Sequence, residues 1–163
     1  MTVRIATIDE LDVRTLYALL RLRVDVFVVE QRCAYAELDG RDLDPGTVHF
    51  VLGPAADPLA YLRLLGEAGG ERRIGRVCTA ASARGRGLGR RLLAAALREA
   101  GDAPCVLDAQ EYLTGLYGGF GFVPSGPGYD WDGVPHVPMR RPSGGTRADA
   151  ARTNSARKEV TAT

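Results

Sequence analysis

The sequence predicts an α/β domain built on a mixed, mostly antiparallel sheet flanked by helices. Residues 48–79 hold three apolar, strand-like runs separated by Gly- and Pro-rich breaks, the pattern of an antiparallel meander. The third run, Arg73–Thr79, is followed by a helical stretch over 87–100 and then by the apolar run Pro104–Asp108. Two strands joined through a helix lie parallel in a right-handed βαβ unit. An apolar-periodic helix near the N-terminus supplies a second covering element.

Val3 to Ala6 forms a short first strand. Asp9 or Asp12 caps a helix running to about Val26, with Leu16, Leu20, Val24 and Phe27 as its buried stripe. The apolar run Phe27–Gln31 ends that helix against the core. A polar loop, Glu37–Pro45, carries carboxylates at 37, 39, 42 and 44; it reads as solvated, with reception of a cationic substrate as the other reading. Val48–Leu52 and Leu59–Leu65 pair across the turn Gly53–Pro58, and His49, inside an apolar strand, reads as a hydrogen-bonded structural histidine. On helix 87–100, Leu88, Leu92, Leu93, Ala96 and Leu97 face inward, with Arg90, Arg91 and Arg98 outward. Gln110 to about Gly118 forms a short helix, Phe120–Val123 begins a strand, Tyr129–Gly133 turns, and His136–Arg140 is the last strand. Residues 1–141 thus make one domain. The tail 142–163 has too little apolar bulk to offset its ordering entropy and is expected to be disordered.

Composition excludes several classes. The 163 residues are 45% hydrophobic and 25% charged, which suits one soluble globular domain. No apolar run approaches the roughly 20 residues of a membrane span, and no signal-peptide block opens the chain. Three cysteines, 33, 78 and 105, without Cys-x-x-Cys spacing argue against a disulfide framework or a zinc site, so the expected location is a reducing cytoplasm and the expected metal is none. Residues 1–141 hold 17 basic and 18 acidic side chains, and their arginines gather in one turn rather than along a face. A nucleic-acid partner is therefore not expected.

That turn is where chemistry concentrates. Between Arg72 and Arg98 there are eight arginines and no carboxylate, in a chain of net charge +1. Gly85, Gly87 and Gly89 let the backbone approach a ligand, and the helix that follows presents unpaired N–H groups and a positive dipole end. Such a turn is a polyphosphate cradle. It lacks the lysine of a Gly-x-x-x-x-Gly-Lys-Ser/Thr loop and the spacing of a dinucleotide fingerprint.

The spacing Arg84-x-x-Gly87-x-Gly89 resembles the acyl-CoA loop of the GCN5-related N-acetyltransferases (GNAT family), and Leu116-Tyr-Gly-Gly-Phe-Gly-Phe122 resembles a second signature of that family. Leu16–Arg23, Phe27–Gln31, Asp39-Gly40, Ile74–Val77 and Gly133–His136 look like its ElaA-type subgroup, so the resemblance covers about residues 11–141. It implies the GNAT acyl-CoA N-acyltransferase fold, with the sheet splayed between its fourth and fifth strands, here Arg73–Thr79 and Pro104–Asp108. It implies acetyl-CoA as co-substrate, its pantetheine arm along Val77, Cys78 and Thr79. The pyrophosphate would lie on the N–H groups of Arg86, Gly87, Leu88 and Gly89, beside Gly85 and Arg90, with Arg84 near a peripheral phosphate. It implies direct attack of a primary amine on the thioester within a ternary complex. Tyr117 stands at the general-acid position, Glu30, Asp108 and His136 are candidates for base or water relay, and Gln110 is placed to orient the acceptor. The acceptor is a small-molecule or peptide amine, and a homodimer is compatible with the resemblance. A catalytically silent acyl-CoA sensor is the alternative; the presence of Tyr117 and of the whole loop favours an enzyme.

Overall fold

The structure, a computed structural model, describes residues 1–144, so nearly all of the expected disordered tail lies outside the described residues. Eight strands alternate with helices: β1 (Arg4–Ala6), β2 (Val48–Leu52), β3 (Ala60–Gly66), β4 (Arg72–Thr79), β5 (Cys105–Gln110), β6 (Val123–Pro124), β7 (Tyr129–Trp131) and β8 (Val134–Arg141). The main helices are α1 (Val13–Arg23), α2 (Leu88–Ala100) and the short α3 (Thr114–Gly118). The sheet order is β1-β2-β3-β4-β5-β8-β6, with β7 paired to β8, and β4–β5 is its one parallel neighbour pair. This is the mixed, mostly antiparallel sheet that the residue pattern predicts.

Alternation along the central strands sorts two cores. Phe50 and Leu52 of β2, Leu62 and Leu64 of β3 and Ile74 of β4 pack with Leu88, Leu92 and Leu93 of α2. Val51, Tyr61 and Cys78 point to the other face and pack with Leu11, Leu19, Leu22, Val26 and Phe27. Each of these fully buried leucines contributes about 1.5–3 kcal/mol relative to exposure, so the sheet is clamped from both sides.

Asp12 caps α1, its Oδ1 accepting from the N–H groups of Arg14 (3.1 Å) and Thr15 (3.0 Å). The buried face of α1 is Thr15, Ala18, Leu19, Leu22 and Arg23, while Leu16 and Leu20 are only part-buried. The stripe expected from apolar spacing is thus rotated, because two of the inward positions are polar. The chain does not leave the helix after Arg23 but widens into a π-helical segment, Val24–Glu30. There Gln31 N–H donates to the Val26 carbonyl at 3.0 Å, and Cys33 N–H to that of Phe27 at 3.0 Å. Such widened turns are rare and favour functional sites; here it keeps Val26 and Phe27 in the core and leaves Glu30 exposed. Among the described residues no helix is long and apolar enough to cross a membrane.

Candidate active site

β4 and β5 share only two ladder positions, Arg72 opposite Cys105 and Arg73 opposite Val106. Beyond them β4 follows β3 while β5 follows β8, and the two strands part. The wedge opens into a cavity of about 610 Å³. Val77, Cys78 and Thr79 line it from β4, Asp108 and Gln110 from β5, Tyr117 from α3, His136 from β8, and Glu30, Arg84 and Gly89 from the adjoining segments. Gly85, Arg86, Gly87, Leu88 and Arg90 belong to the turn and helix start that carry Arg84 and Gly89. A smaller pocket of about 190 Å³ beside Leu22, Asp57 and Ala81 touches only Glu30 of these residues.

The helix start is built against its own stability. Gly87 (φ 70°) is the N-cap of α2 and offers no side-chain cap, so the first N–H groups of the helix are without intrahelical partners. Arg90 and Arg91 stand in the first turn, with no acidic residue there; positive charge at that end opposes the dipole by about 0.3–1 kcal/mol each. Gly89 has ordinary helical geometry, and a Cβ on it would meet nothing within 4 Å beyond its chain neighbours and the backbone of its own helix. Neither backbone conformation nor packing calls for a glycine that costs about 1 kcal/mol relative to alanine. An uncapped, basic helix start with empty space in front of Gly89 fits an anionic group such as a pyrophosphate. Arg90 lies 5.3 Å over the Phe120 ring, and Arg91 donates to the Met1 carbonyl. Arg84 is shared between the Glu30 carboxylate (2.7 and 2.8 Å) and the Thr79 carbonyl (3.2 Å), which ties the π-helical segment to the end of β4.

Register explains how β4 is shaped at the cavity. Tyr61 pairs with Cys78 and Arg63 with Gly75, so Arg76 and Val77 together face the single residue Leu62. This is a β-bulge, which leaves an extra residue unpaired and re-aims the strand. Arg76 has φ 56°, a left-handed conformation costing a non-glycine residue about 1–3 kcal/mol unless its surroundings enforce it. Glu37 (2.9 Å) and Asp39 (3.2 Å) hold its guanidinium, and the Tyr35 ring lies 5.3 Å from it. Those carboxylates belong to a closed ring of alternating charge. Asp39 binds Arg63 (2.8 Å), Arg63 binds Asp42 (3.0 Å), Asp42 binds Arg23 (2.8 Å), and Arg23 binds Glu37 (2.6 Å), which returns to Arg76. Burial alone would raise the Asp39 carboxyl; the hydrogen bonds and charge of Arg63 bring it well below the usual carboxylate range. Three of the loop carboxylates are therefore structural partners of arginines rather than a receiving surface for a cation: Glu37 and Asp42 are buried, and Asp39, at the surface, is held by Arg63 and Arg76. Below the ring, His49 Nε2–H points to the Asp42 carbonyl (3.4 Å) and Nδ1 accepts the Tyr61 hydroxyl (2.7 Å), as a structural histidine should.

Among the base candidates, geometry separates three carboxylate and imidazole groups. The Arg84 hydrogen bond holds Glu30 below its ordinary carboxyl value, so it is a weak proton acceptor. Asp108 is paired to Arg73 at 2.8 Å. His136 Nδ1 lies 2.8 Å from the Val134 carbonyl; a carbonyl only accepts, so Nδ1 carries a proton and the ring's basic position is Nε2. Gln110 donates to Gln31 Oε1 (3.1 Å) and accepts from the Tyr112 hydroxyl (2.6 Å), spanning from β5 to the π-helical segment. Tyr117 is buried and its hydroxyl titration is pushed up to about 12 by burial, so it stays protonated. Burial also pushes the Cys78 thiol up to about 12 and raises that of Cys33. Neither is a thiolate nucleophile near neutrality.

Residues that sequence reasoning did not assign to the site are Arg76, its charged partners, and the aromatic side chains Tyr35, Tyr129 and Trp131. One available signal was Asp132-Gly133 between aromatic residues, a hairpin pattern. Both positions have positive φ (50° and 79°), and β7 folds onto β8 there where a plain turn was expected.

Residues 23–142 match the family model described as an acetyltransferase (GNAT) domain. A UPF0039 protein of Mycobacterium tuberculosis is 57% identical over 140 residues, spanning 83% of this chain and 90% of the relative. Among solved structures, an acyl-CoA N-acyltransferase from Pseudomonas aeruginosa superposes with TM-score 0.81 at 43% identity, covering 86% of this chain and 98% of that one. Escherichia coli ElaA superposes with TM-score 0.80 at 37% identity over the same shares. The splayed strands, the basic helix start and these likenesses agree: the chain belongs to the GNAT acetyltransferase family.

Proposed function

We propose that the protein is an N-acetyltransferase that moves an acetyl group from acetyl-CoA to a primary amine by direct attack in a ternary complex. The parting of β4 from β5 after two ladder positions carries this reading, because it leaves strand-edge groups of Val77–Thr79 facing a cavity that also holds Tyr117 and His136. Unpaired edge groups take an extended ligand as an added strand. The backbone of the Arg76–Val77 bulge would polarise the thioester carbonyl. The amine nitrogen forms the new C–N bond while the C–S bond breaks; the proton lost by the amine passes to His136 Nε2, directly or through water, and the thiolate takes one from Tyr117. High thiol pKa values at Cys33 and Cys78 support direct attack over an acyl-cysteine intermediate.

Amine-dependent thiol release from acetyl-CoA, scanned over arylamines, alkylamines, polyamines, amino acids and peptides, tests the reaction. Binding of acetyl-CoA without thiol release to any amine would instead identify a silent acyl-CoA binder. Gly89→Val tests the anion end separately. A branched side chain would enter the open space before α2, so calorimetry should show acetyl-CoA affinity lost. The thermal midpoint should change little, since nothing beyond its chain neighbours and the backbone of its own helix lies within 4 Å of that Cβ. Retained affinity would remove the helix start from the binding site.

His136→Gln keeps a polar side chain at this position but removes the base. We expect kcat to fall about 10²-fold or more near neutral pH and to recover partly as pH rises toward the amine's own titration. A pH-independent loss would assign His136 to packing.

A further inference from the structure

We propose that the acceptor end of the cavity is a subsite for a primary aralkylamine, an ammonium on a short chain that carries one aromatic ring. The inference rests on the acyl transfer proposed above and names its acceptor class. Tyr35, Trp131 and His136 line the cavity together, and Trp131 is the hub of their contacts. Its ring centroid lies 5.5 Å from Tyr35, 6.0 Å from His136 and 6.5 Å from Tyr129. Tyr129 in turn stacks on His136 at 5.8 Å and 20°. Two pieces of chain far apart in sequence build this group: the β7–β8 hairpin brings Tyr129, Trp131 and His136, and the loop after the π-helical segment brings Tyr35.

The exposure of the group is what marks it as a binding surface. Trp131 is 44% exposed and Tyr129 39% exposed. Rings of this size normally bury most of their area, and aromatic faces left open beside a cavity stack flat ligands and attract ammonium groups.

Charge narrows the class further. Arg41, Arg63, Arg73 and Arg76 all line the cavity, yet each is already paired to carboxylates. The ring through Arg23, Arg63 and Arg76 has three carboxylates and is neutral. A second chain, Asp44–Arg41–Glu67–Arg73–Asp108, holds three carboxylates against two guanidiniums and ends on Asp108 in the cavity. One negative charge is in excess over this chain as a whole, and of its three carboxylates Asp108 is the one that lines the cavity, a balance that favours a cation over an anion there. Among the described residues that line the cavity every guanidinium, Arg84 included, is already paired and none is free for an acceptor carboxylate, and the additional charges of a polyamine would lie against arginines. His136 belongs to the same aromatic group, so an ammonium held by these faces is delivered to the Nε2 lone pair that takes its proton.

Trp131 is the only tryptophan of the chain, so its emission reports occupancy whether or not turnover follows. Titration with 2-phenylethylamine should change that emission saturably, whereas n-butylamine, with the same ammonium and no ring, should not do so in the same range. Acetylation of 2-phenylethylamine should exceed that of n-butylamine and of spermidine by about 10-fold or more in kcat/KM. Trp131→Ala should raise KM for 2-phenylethylamine about 10-fold and bring the ratio of the two amines near one. Trp131→Phe should restore most of the preference, and both variants should keep wild-type affinity for acetyl-CoA. Equal kcat/KM for 2-phenylethylamine and n-butylamine, or an equal loss on both in Trp131→Ala, would overturn the subsite. Thiol release to other amines with the emission unmoved by 2-phenylethylamine would overturn it while leaving acyl transfer standing. A saturable emission change with no thiol release to any amine would keep the subsite and overturn the acyl-transfer reading instead.

Discussion

Tyr117→Phe is expected to bind acetyl-CoA with wild-type affinity and to lose turnover by about 10²–10⁴-fold. Tyr117 is buried to 5% exposure, its ring edge-on to Phe122 at 6.1 Å, while the structure shows no hydrogen bond from its hydroxyl to the described residues. Phenylalanine therefore keeps the packing and breaks no protein contact, so the thermal midpoint should hold. Whether a phenol can serve a thiolate depends on the match between them. In water a thiol titrates near 8.5, and a proton leaving a group near 12 would climb roughly 5 kcal/mol. The cavity changes that comparison. Cys78, a thiol lining the same cavity, is pushed up to about 12 by burial, level with the Tyr117 hydroxyl at about 12. Desolvation raises a thiol in the same direction, as it does Cys78, so a leaving thiolate drawn out of water lies closer to the Tyr117 hydroxyl than it would in solution. Because a group titrating near 12 is still protonated at pH 10, kcat should show no alkaline decline from Tyr117 below that pH. Loss of kcat with KM for acetyl-CoA unchanged would place the effect in the transition state. Wild-type turnover of the variant across the pH range would make Tyr117 a packing residue, with the thiolate leaving unassisted or through water.

What the sequence made legible follows from which signals are local. Val48–Leu52 was readable to the residue because a short apolar run lies between turn residues, and helix 87–100 because four turns repeat one apolar face. The split of the sheet came through the resemblance; the parting itself is a matter of ladder pairing that no residue spacing encodes. The inward face of α1 was misplaced because periodicity counts apolar side chains, and Arg23, fully buried, counts as solvent-facing. The loop carboxylates were misjudged for the same reason. Glu37 and Asp42 are buried because Arg23 and Arg63 lie far away in sequence and close in space. The bulge at Arg76 is hidden similarly: nothing in an arginine predicts a left-handed conformation that its partners enforce.

Arg23→Met is expected to destabilise the domain more than any other single change proposed here. Methionine fills much of the same space but leaves the buried Glu37 and Asp42 with one arginine partner each, Arg76 and Arg63, in a ring that has lost one of its three positive charges. Breaking one partner from a buried ion pair costs about 3–5 kcal/mol, which for a domain of this length is a fall in Tm of about 6–20 °C at about 2–4 °C per kcal/mol. The pH dependence has a definite sign. Asp39 and Asp42 titrate below their ordinary value in the folded state: burial would raise them, and the arginine hydrogen bonds and charges outweigh it. A depressed carboxyl contributes its stability above the unfolded value, near 3.9, and loses it as pH falls through the folded one. Wild-type Tm should therefore be level from about pH 8 to 5 and fall below about pH 4. The fall should be shallower in Asp39→Asn, which has one fewer carboxylate to protonate. A ring of this kind is weak support for stability as such, since apolar replacements of whole buried pairs are often neutral. Its second consequence is positional: Asp39 and Glu37 clamp Arg76 in the bulge that borders the cavity. Asp39→Asn should accordingly lower kcat by about 10-fold or more through misplacement of the bulge, with acetyl-CoA affinity retained because the helix start of α2 is untouched. Equal loss of kcat and of acetyl-CoA affinity would indicate general unfolding instead, wild-type kcat in Asp39→Asn would remove the positional role, and a Tm for Arg23→Met within 2 °C of wild type would remove the stabilising one.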